Sequence, residues 1–343
     1  MKVLSLIVPA YNSARFLNKG IGSFLDERIL DALDIIIVND GSSDETESVA
    51  EQFCGKYPDS VRLINQENRG HGGALNAGCA EAKGKYLKVI DADDWVETQN
   101  LADLLECLKS CDSDVVLTHY YTVDISNGEV KSWKCAPEEF GKPYTMEEVL
   151  NRWGGFEWSM TLHGITYRTD FYQKKGIQLS EHVFYEDYEY STFPCCMAQH
   201  VTPLDLFIYD YRIGDVEQSV SDANQLKRSG HVETVLKRMI FEYQQITGCD
   251  EACKVYICRK IAGLLMSYLT TQMLVNPNKP AGRKAARAMM DYVRKEAPFV
   301  WTMVEKKFRV YMLLNRFHVS KNKFEAMLRL KMALKSSAKT NNN

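Results

Sequence analysis

Short apolar runs alternate with amphipathic stretches through the first hundred residues: Val3–Val8, 14–30, Ile35–Val38, 45–56, Val61–Ile64, 73–83 and Tyr86–Ile90. Strands joined this way pair in parallel only if a helix carries the chain back across the sheet. The alternation therefore predicts an α/β fold with a mostly parallel sheet and helices on both faces. Turn chemistry marks the strand ends. Pro9 and Asn12 follow the first, and Asp40-Gly41-Ser42-Ser43 follows the second, with Ser42 and Glu45 at capping-box spacing for the next helix. A further strand is expected at Val115–Thr118, followed by an aromatic-rich section to about residue 220. Beyond it, Val255, Cys258, Ala262, Leu265 and Leu269 recur at helical spacing until Pro277 and Pro280 break the pattern. Residues 281–338 also read as helical, with Pro298 as an interruption and Asn341–Asn343 frayed. The expected division is an α/β domain over 1–220 and a helical C-terminal region with a basic tail over 221–343.

A chain of 343 residues can bury a large core without covalent staples. Its ten cysteines form no C-x-x-C pair and no Cys/His group at zinc spacing, which fits a reducing compartment. Met1 leads directly into a strand-like run with no basic leader, and no run approaches the ~18 apolar residues of a membrane span. A cytoplasmic protein is the expectation. The net charge of -3 conceals two unlike parts. Residues 279–343 hold sixteen Lys+Arg against four Asp+Glu, or +12, leaving -15 on residues 1–278. An acidic body argues against nucleic acid as a partner. The basic tail, with Val310–Leu314 set between its cations, suits peripheral contact at the inner membrane face or a homo-oligomer.

In open α/β sheets ligands bind beyond the carboxyl ends of the strands. Asp40 stands at such an end, where a carboxylate can accept hydrogen bonds from a base or ribose. Gly70-His71-Gly72-Gly73 opens a helix and lets backbone N–H groups approach a diphosphate, although it matches neither a P-loop nor a dinucleotide fingerprint. Asp91-Ala92-Asp93-Asp94 follows the strand Tyr86–Ile90; in an extended segment Asp91 and Asp93 point the same way and Asp94 the other. Two converging carboxylates call for a hard cation, Mg²⁺ or Mn²⁺. Glu186-Asp187 lies among aromatics that suit a partly desolvated general base. Tyr211-Arg212 and Gln218-Ser219 offer a guanidinium and a hydroxyl for a diphosphate. His71, His163 and His182 read as turn or packing residues, and no Ser sits in a G-x-S-x-G elbow. Aromatics at 153–158 and 184–190 are candidates for stacking on sugar rings.

In order, Val8-Pro9-Ala10-Tyr11-Asn12, Val38-Asn39-Asp40-Gly41-Ser42-Ser43-Asp44, Asn68-Arg69-Gly70, Asp91-Ala92-Asp93-Asp94 and Glu186-Asp187 resemble the inverting glycosyltransferases of family 2, over about residues 3–220. The resemblance implies a GT-A fold, a nucleotide-sugar donor, most often of uridine, and a glycan or lipid-linked glycan acceptor in cell-surface polysaccharide synthesis. It implies Pro9, Tyr11, Asp40, Asn68 and Asp91 around the nucleoside, Gly72, Arg212 and Ser219 near the diphosphate, and Asp93 as principal ligand of Mn²⁺ or Mg²⁺. Asp187 becomes the catalytic base, with Glu186 supporting it. Where many relatives carry a W-x-K-x-Y-R-x-D-F-like segment, this chain reads Thr161 to Phe171 differently, so its acceptor side is its own. A sugar nucleotidyltransferase and a non-catalytic nucleotide- or sugar-binding scaffold are the competing readings; the first would want a basic Gly-rich loop where Pro9-Ala10-Tyr11-Asn12 stands.

Overall fold

The computed structural model describes residues 2–215, 222–246, 250–327 and 329. β1 (Leu4–Ala10), α1 (Ala14–Gly22), β2 (Leu33–Asp40), α2 (Thr46–Lys56), β3 (Val61–Gln66), α3 (Gly70–Ala80) and β4 (Tyr86–Val89) follow one another. β2 pairs with β1 and β3, and β1 with β4, all in parallel. Every residue of β1 and β2 is buried, the reason both read as near-continuous apolar runs rather than alternations.

The remaining elements are β5 (Trp95–Val96), α4 (Thr98–Ser110), β6 (Val115–Asp124), β7 (Val130–Trp133), α5 (Met146–Asn151), α6 (Trp153–Phe156), β8 (Ile165–Arg168), α7 (Thr169–Lys174), α8 (Asp187–Tyr190), α9 (Phe193–Cys196) and β9 (Val201–Ile213). The sheet runs β3-β2-β1-β4-β8-β6-β9-β5, with β7 paired to β6. The parallel order read from the first hundred residues holds through β4. Beyond it β8 runs antiparallel to β4 and β6, and β6 and β9 are again parallel, so the whole sheet is mixed.

The chain divides into two compact units, Met1–Gln218 with Thr247–Ile257, and Ser219–Ile246 with Cys258–Asn343. Their helices are α10 (Asp222–Lys227), α11 (Ser229–Gln245), α12 (Glu251–Thr270), α13 (Lys279–Glu296) and α14 (Pro298–Arg316). Pro280 and Pro298 each occupy the first turn of a helix, where a missing N–H costs nothing, so both prolines start helices. Asn341–Asn343 lie outside the described residues.

Two local expectations are corrected. The stretch 14–30 is helical only to Gly22; just beyond it the Thr98 hydroxyl takes the Ser23 carbonyl, an acceptor that a further turn would use, and Val96 N–H donates to the Ser23 hydroxyl. The Ser42/Glu45 capping box does not form. The Ser42 hydroxyl accepts from Asn12 N–H at 3.0 Å, and Asp44 Oδ1 takes Thr46 N–H, also at 3.0 Å. These bonds tie the loops after β1 and β2 together at the carboxyl edge of the sheet. At the opposite edge, buried Asp34 accepts from Ser5 at 2.6 Å and Arg62 at 2.8 Å, with Lys83 N–H at 3.1 Å. Burial opposes its charge, but these donors outweigh it and hold the carboxyl below its ordinary value.

α3 lies against β1 and β2 through Gly78, where a Cβ would stand 2.4 Å from Ile7 Cγ2 and 3.2 Å from Val38 Cγ2. Gly78→Ala should therefore cost about 1–3 kcal/mol through overpacking, despite Ala's better helix propensity. Urea denaturation measures this; an unchanged or more stable variant would contradict the close approach.

Candidate active site

β4 ends at Val89, and the chain then reverses: Asp94 N–H donates to the Asp91 carbonyl at 3.0 Å, closing a tight turn. The extended geometry expected for residues 91–94 is thus corrected. In the turn its two ends come together, so Asp91, Asp94 and His163 each offer a ligand atom, all within 4.8 Å of one another. Asp93 projects toward Arg212, its Oδ2 3.6 Å from Nη1. Asp94 is buried and anchors β9, accepting from the Tyr209 hydroxyl at 2.5 Å and from Arg212 N–H at 2.7 Å. Crowding shows in the protonation of the group. Burial, and then the charge of Asp91, raise the Asp93 carboxyl above its ordinary value; burial, Asp93 and Asp91 push Asp94 well above it.

Burial pushes Asp91 up as well, but the charge and hydrogen bond of His71 outweigh it and hold that carboxyl below its ordinary value. The first turn of α3 aims this ring between two acids, Nε2 at 2.9 Å from Asp91 Oδ1 and Nδ1 at 2.5 Å from Glu186 Oε1. A neutral imidazole donates only one of two such bonds, whereas an imidazolium donates both. Burial favours the neutral ring, but Asp91 and Glu186 outweigh it and raise the pKa well above the ordinary 6.5. The reading of His71 as a turn or packing residue is corrected: it joins α3, the acid turn and the start of α8. No spacing rule could reveal this, since its partners lie 20 and 115 residues away.

His163, also read as a packing residue, lines the other side. Its ring lies 4.3 Å from that of Tyr211 and 4.9 Å from that of Tyr209. Burial lowers its pKa to about 4, so the ring is neutral and one of its two nitrogens is available as ligand or acceptor. Beneath it, fully buried Lys88 donates to the carbonyls of His163 at 2.7 Å and Ile165 at 3.2 Å, and burial lowers its pKa to about 7.

The remaining candidates fall into two groups. Pro9 is buried in β1, and Tyr11 just beyond it is exposed. Asp40 ends β2 with its side chain buried, Oδ1 accepting from Gln66 Nε2 at 2.6 Å and Arg69 N–H at 2.8 Å; exposed Asn68 donates to the Asp40 carbonyl at 3.0 Å. Gly72 sits where a Cβ would stand 2.2 Å from the Ser180 carbonyl and 3.0 Å from Glu186 Cγ, so its lack of a side chain admits the segment that delivers Glu186. On the other flank Arg212 bonds Asp215 at 2.9 Å and lies over the Phe16 ring. Glu186 and Asp187 open α8, with Glu186 buried and Asp187 partly exposed. Ser219 lies outside the described residues.

Residues 5–174 match the profile described as Glycosyl transferase family 2. The chain belongs to that family. It is 30% identical over 155 residues to Glycosyltransferase GlyG of Streptococcus pneumoniae, covering 45% of this chain and 51% of GlyG. It is 25% identical over 304 residues to Uncharacterized glycosyltransferase EpsJ of Bacillus subtilis, covering 84% of each. The chain thus spans about half the length of GlyG and most of EpsJ. Among solved structures it is similar to TarS 1-349 of S. aureus in complex with UDP-GlcNAc, with a TM-score of 0.64 at 19% identity, covering 94% of this chain and 89% of that one. The GT-A fold with a helical C-terminal region is thereby established. The matched family 2 residues include the acid turn and His71 but end before Glu186, Asp187 and Arg212.

The His71 bridge gives the protein a pH signature. Its folded pKa lies above the unfolded value, so its contribution is complete below about pH 6.5 and is lost as pH rises through the folded value. His71→Gln, which cannot carry the charge, should be destabilised most at pH 6 and less at pH 9 relative to wild type, as read by denaturant unfolding. A gap that is constant with pH would show that the ring carries no charge.

Proposed function

We propose that the α/β unit, expected over residues 1–220, transfers a sugar with inversion from a nucleoside diphosphate donor, UDP-linked by preference, to an acceptor hydroxyl in cell-surface glycan synthesis. The observation that carries this reading is the convergence of acids on one phenol. Burial, followed by the charges of Asp94, Asp91, Asp187 and Asp93, raises the pKa of Tyr211. The charges of the acid turn and of the proposed base thus all bear on the same phenol. Asp187, partly exposed, is the group we assign to take the proton of the attacking hydroxyl. His71 holds Glu186 and with it the start of α8, and Arg212 stands beside Asp93. Pro9, Tyr11, Asp40 and Asn68 we assign to the nucleoside side.

An acid cluster on its own repels a diphosphate. Carboxylate oxygens from Asp91 and Asp94 with a neutral His163 nitrogen form a donor set that suits Mn²⁺ or Mg²⁺, and Asp93, the ligand expected from the sequence, stands beside them. Such a cation neutralises charge on the leaving diphosphate. Asp187→Asn should keep the thermal stabilisation by UDP with Mn²⁺ while UDP release from the sugar donor falls by about 10²–10⁴. Turnover at the wild-type rate would remove Asp187 from the mechanism.

For the basic tail we propose peripheral attachment to an anionic membrane. No described helix is long and apolar enough to cross a membrane. Yet the outer face of α14 carries Phe299, Met303, Val310 and Leu313, with Phe317 at its end, exposed by 37–70% and spaced three or four residues apart through Lys306. Lys307, Arg309 and Arg316 flank this line. A second copy of the face would set cation against cation, whereas an anionic headgroup layer accepts apolar side chains and neutralises the flanks. Full-length protein should float with phosphatidylglycerol-containing vesicles and not with phosphatidylcholine alone. Leu313→Ser with Phe317→Ser should release it. A dimer dissolved by these changes, without vesicle binding, would assign the face to a second copy instead.

A further inference from the structure

An unbroken row of rings leads from the acids to the surface. Tyr211, on which the four carboxylates act, stacks on His163 with centroids 4.3 Å apart. His163 meets Tyr120 at 5.1 Å, Tyr120 stacks on Trp133 at 6.1 Å, and Trp133 meets Trp158 at 4.8 Å. The strands set this order: Tyr120 of β6 and Trp133 of β7 are register partners on one hairpin, and the Trp133 indole is fixed by its N–H bond to Thr122 at 3.2 Å. The middle of the row is buried, Tyr120 to 6% exposure, the inner rings Tyr211 and His163 are half-buried, and the outer end is open, with Trp158 exposed at 48%. An indole left half in water has given up the burial that an aromatic core member gains.

We propose that this row is the acceptor site, and that the acceptor is a saccharide chain whose outer units lie on Trp158 and Trp133 while its terminal hydroxyl reaches Asp187. The inference rests on the glycosyltransferase reading and adds to it the chemical class of the acceptor and the residues that hold it. A pyranose ring has an apolar face of axial C–H groups and a rim of hydroxyls. It packs on a flat, rigid, partly wet aromatic surface while its rim stays hydrated. A lipid tail would want a dry groove, which a half-exposed indole does not provide, and an anionic acceptor would want cations along the row, whereas the inner end of this one stands among Asp91, Asp93, Asp94 and Asp187. Neutral sugars fit both ends. Because the wet rings lie several steps from the acids, recognition should grow with chain length.

Saturation-transfer NMR on the full-length protein tests this with four neutral probe series, the mono-, di- and tetrasaccharides of glucose, galactose, N-acetylglucosamine and rhamnose. Wild type should bind the tetrasaccharide of at least one series about tenfold more tightly than its monosaccharide. Trp158→Ala should lose that gain and Trp158→Phe should retain most of it, while UDP with Mn²⁺ stabilises all three proteins equally. Trp133→Phe, which keeps a ring, should weaken binding less than Trp158→Ala. Binding that is equal in wild type and Trp158→Ala overturns the proposal, as does affinity independent of length or no binding of any probe by a protein that UDP stabilises. If UDP with Mn²⁺ fails to stabilise wild type, the donor reading fails, a result distinguishable from failure of the acceptor row alone.

Discussion

The repulsion among Asp91, Asp93 and Asp94, held in one tight turn, is the constraint around which the carboxyl end of the sheet is arranged. Like charges a few ångströms apart in a partly buried site cannot all remain ionised without compensation. The protein compensates in three ways: an imidazolium on Asp91, a guanidinium near Asp93, and hydrogen bonds from Tyr209 and the Arg212 backbone on Asp94. The donors come from two elements far from the turn in sequence, His71 from α3 and Tyr209 and Arg212 from β9. The turn therefore draws α3 and β9 to itself, and the charge that the acids still lack is the charge a divalent cation would bring.

Two histidines beside the same turn are driven in opposite directions, and the difference lies in their second neighbours. His71 bonds carboxylates at both nitrogens, and these overcome its burial. For His163 burial is the dominant influence, lowering the pKa to about 4; Asp91 opposes this and the nearby Lys88 adds to it. One ring is thus a fixed cation that neutralises, the other a neutral donor. A site with both can hold a negative diphosphate and a positive metal without either histidine changing state near neutral pH.

The parallel half of the sheet was legible because β1 and β2 are buried on both faces and write that burial as near-continuous apolar runs. The acid turn was legible as letters because it follows a strand end, and Glu186-Asp187 because its acids are interleaved with aromatics. Their orientation was not. Alternation assumes a continuing strand, and the bond from Asp94 N–H to the Asp91 carbonyl replaces it with a turn, which exchanges the places of Asp93 and Asp94. Ser42 at capping-box spacing misled for a similar reason, because its hydroxyl is taken by Asn12 in the neighbouring loop. The turn is local, but the partners of Ser42 and Glu186 lie 30 and 115 residues away, and no local pattern encodes them.

The Gly-rich start of α3 shows how a sequence signal can be right in position and different in cause. Glycines before a helix suggest a bare backbone kept clear for a ligand. Here Gly70 and Gly72 keep it clear for the chain itself: added Cβ atoms would stand 2.9 Å from His182 N and 2.2 Å from the Ser180 carbonyl. Residues 180–186 pass over that turn, joined by the bond from His182 N–H to the Arg69 carbonyl, and so Glu186 arrives against His71. A side chain at Gly72 would push away the segment that carries both Glu186 and Asp187. The glycines therefore bear on the proposed base through packing, which links the start of α3 to the start of α8 by a steric contact rather than through any bound group.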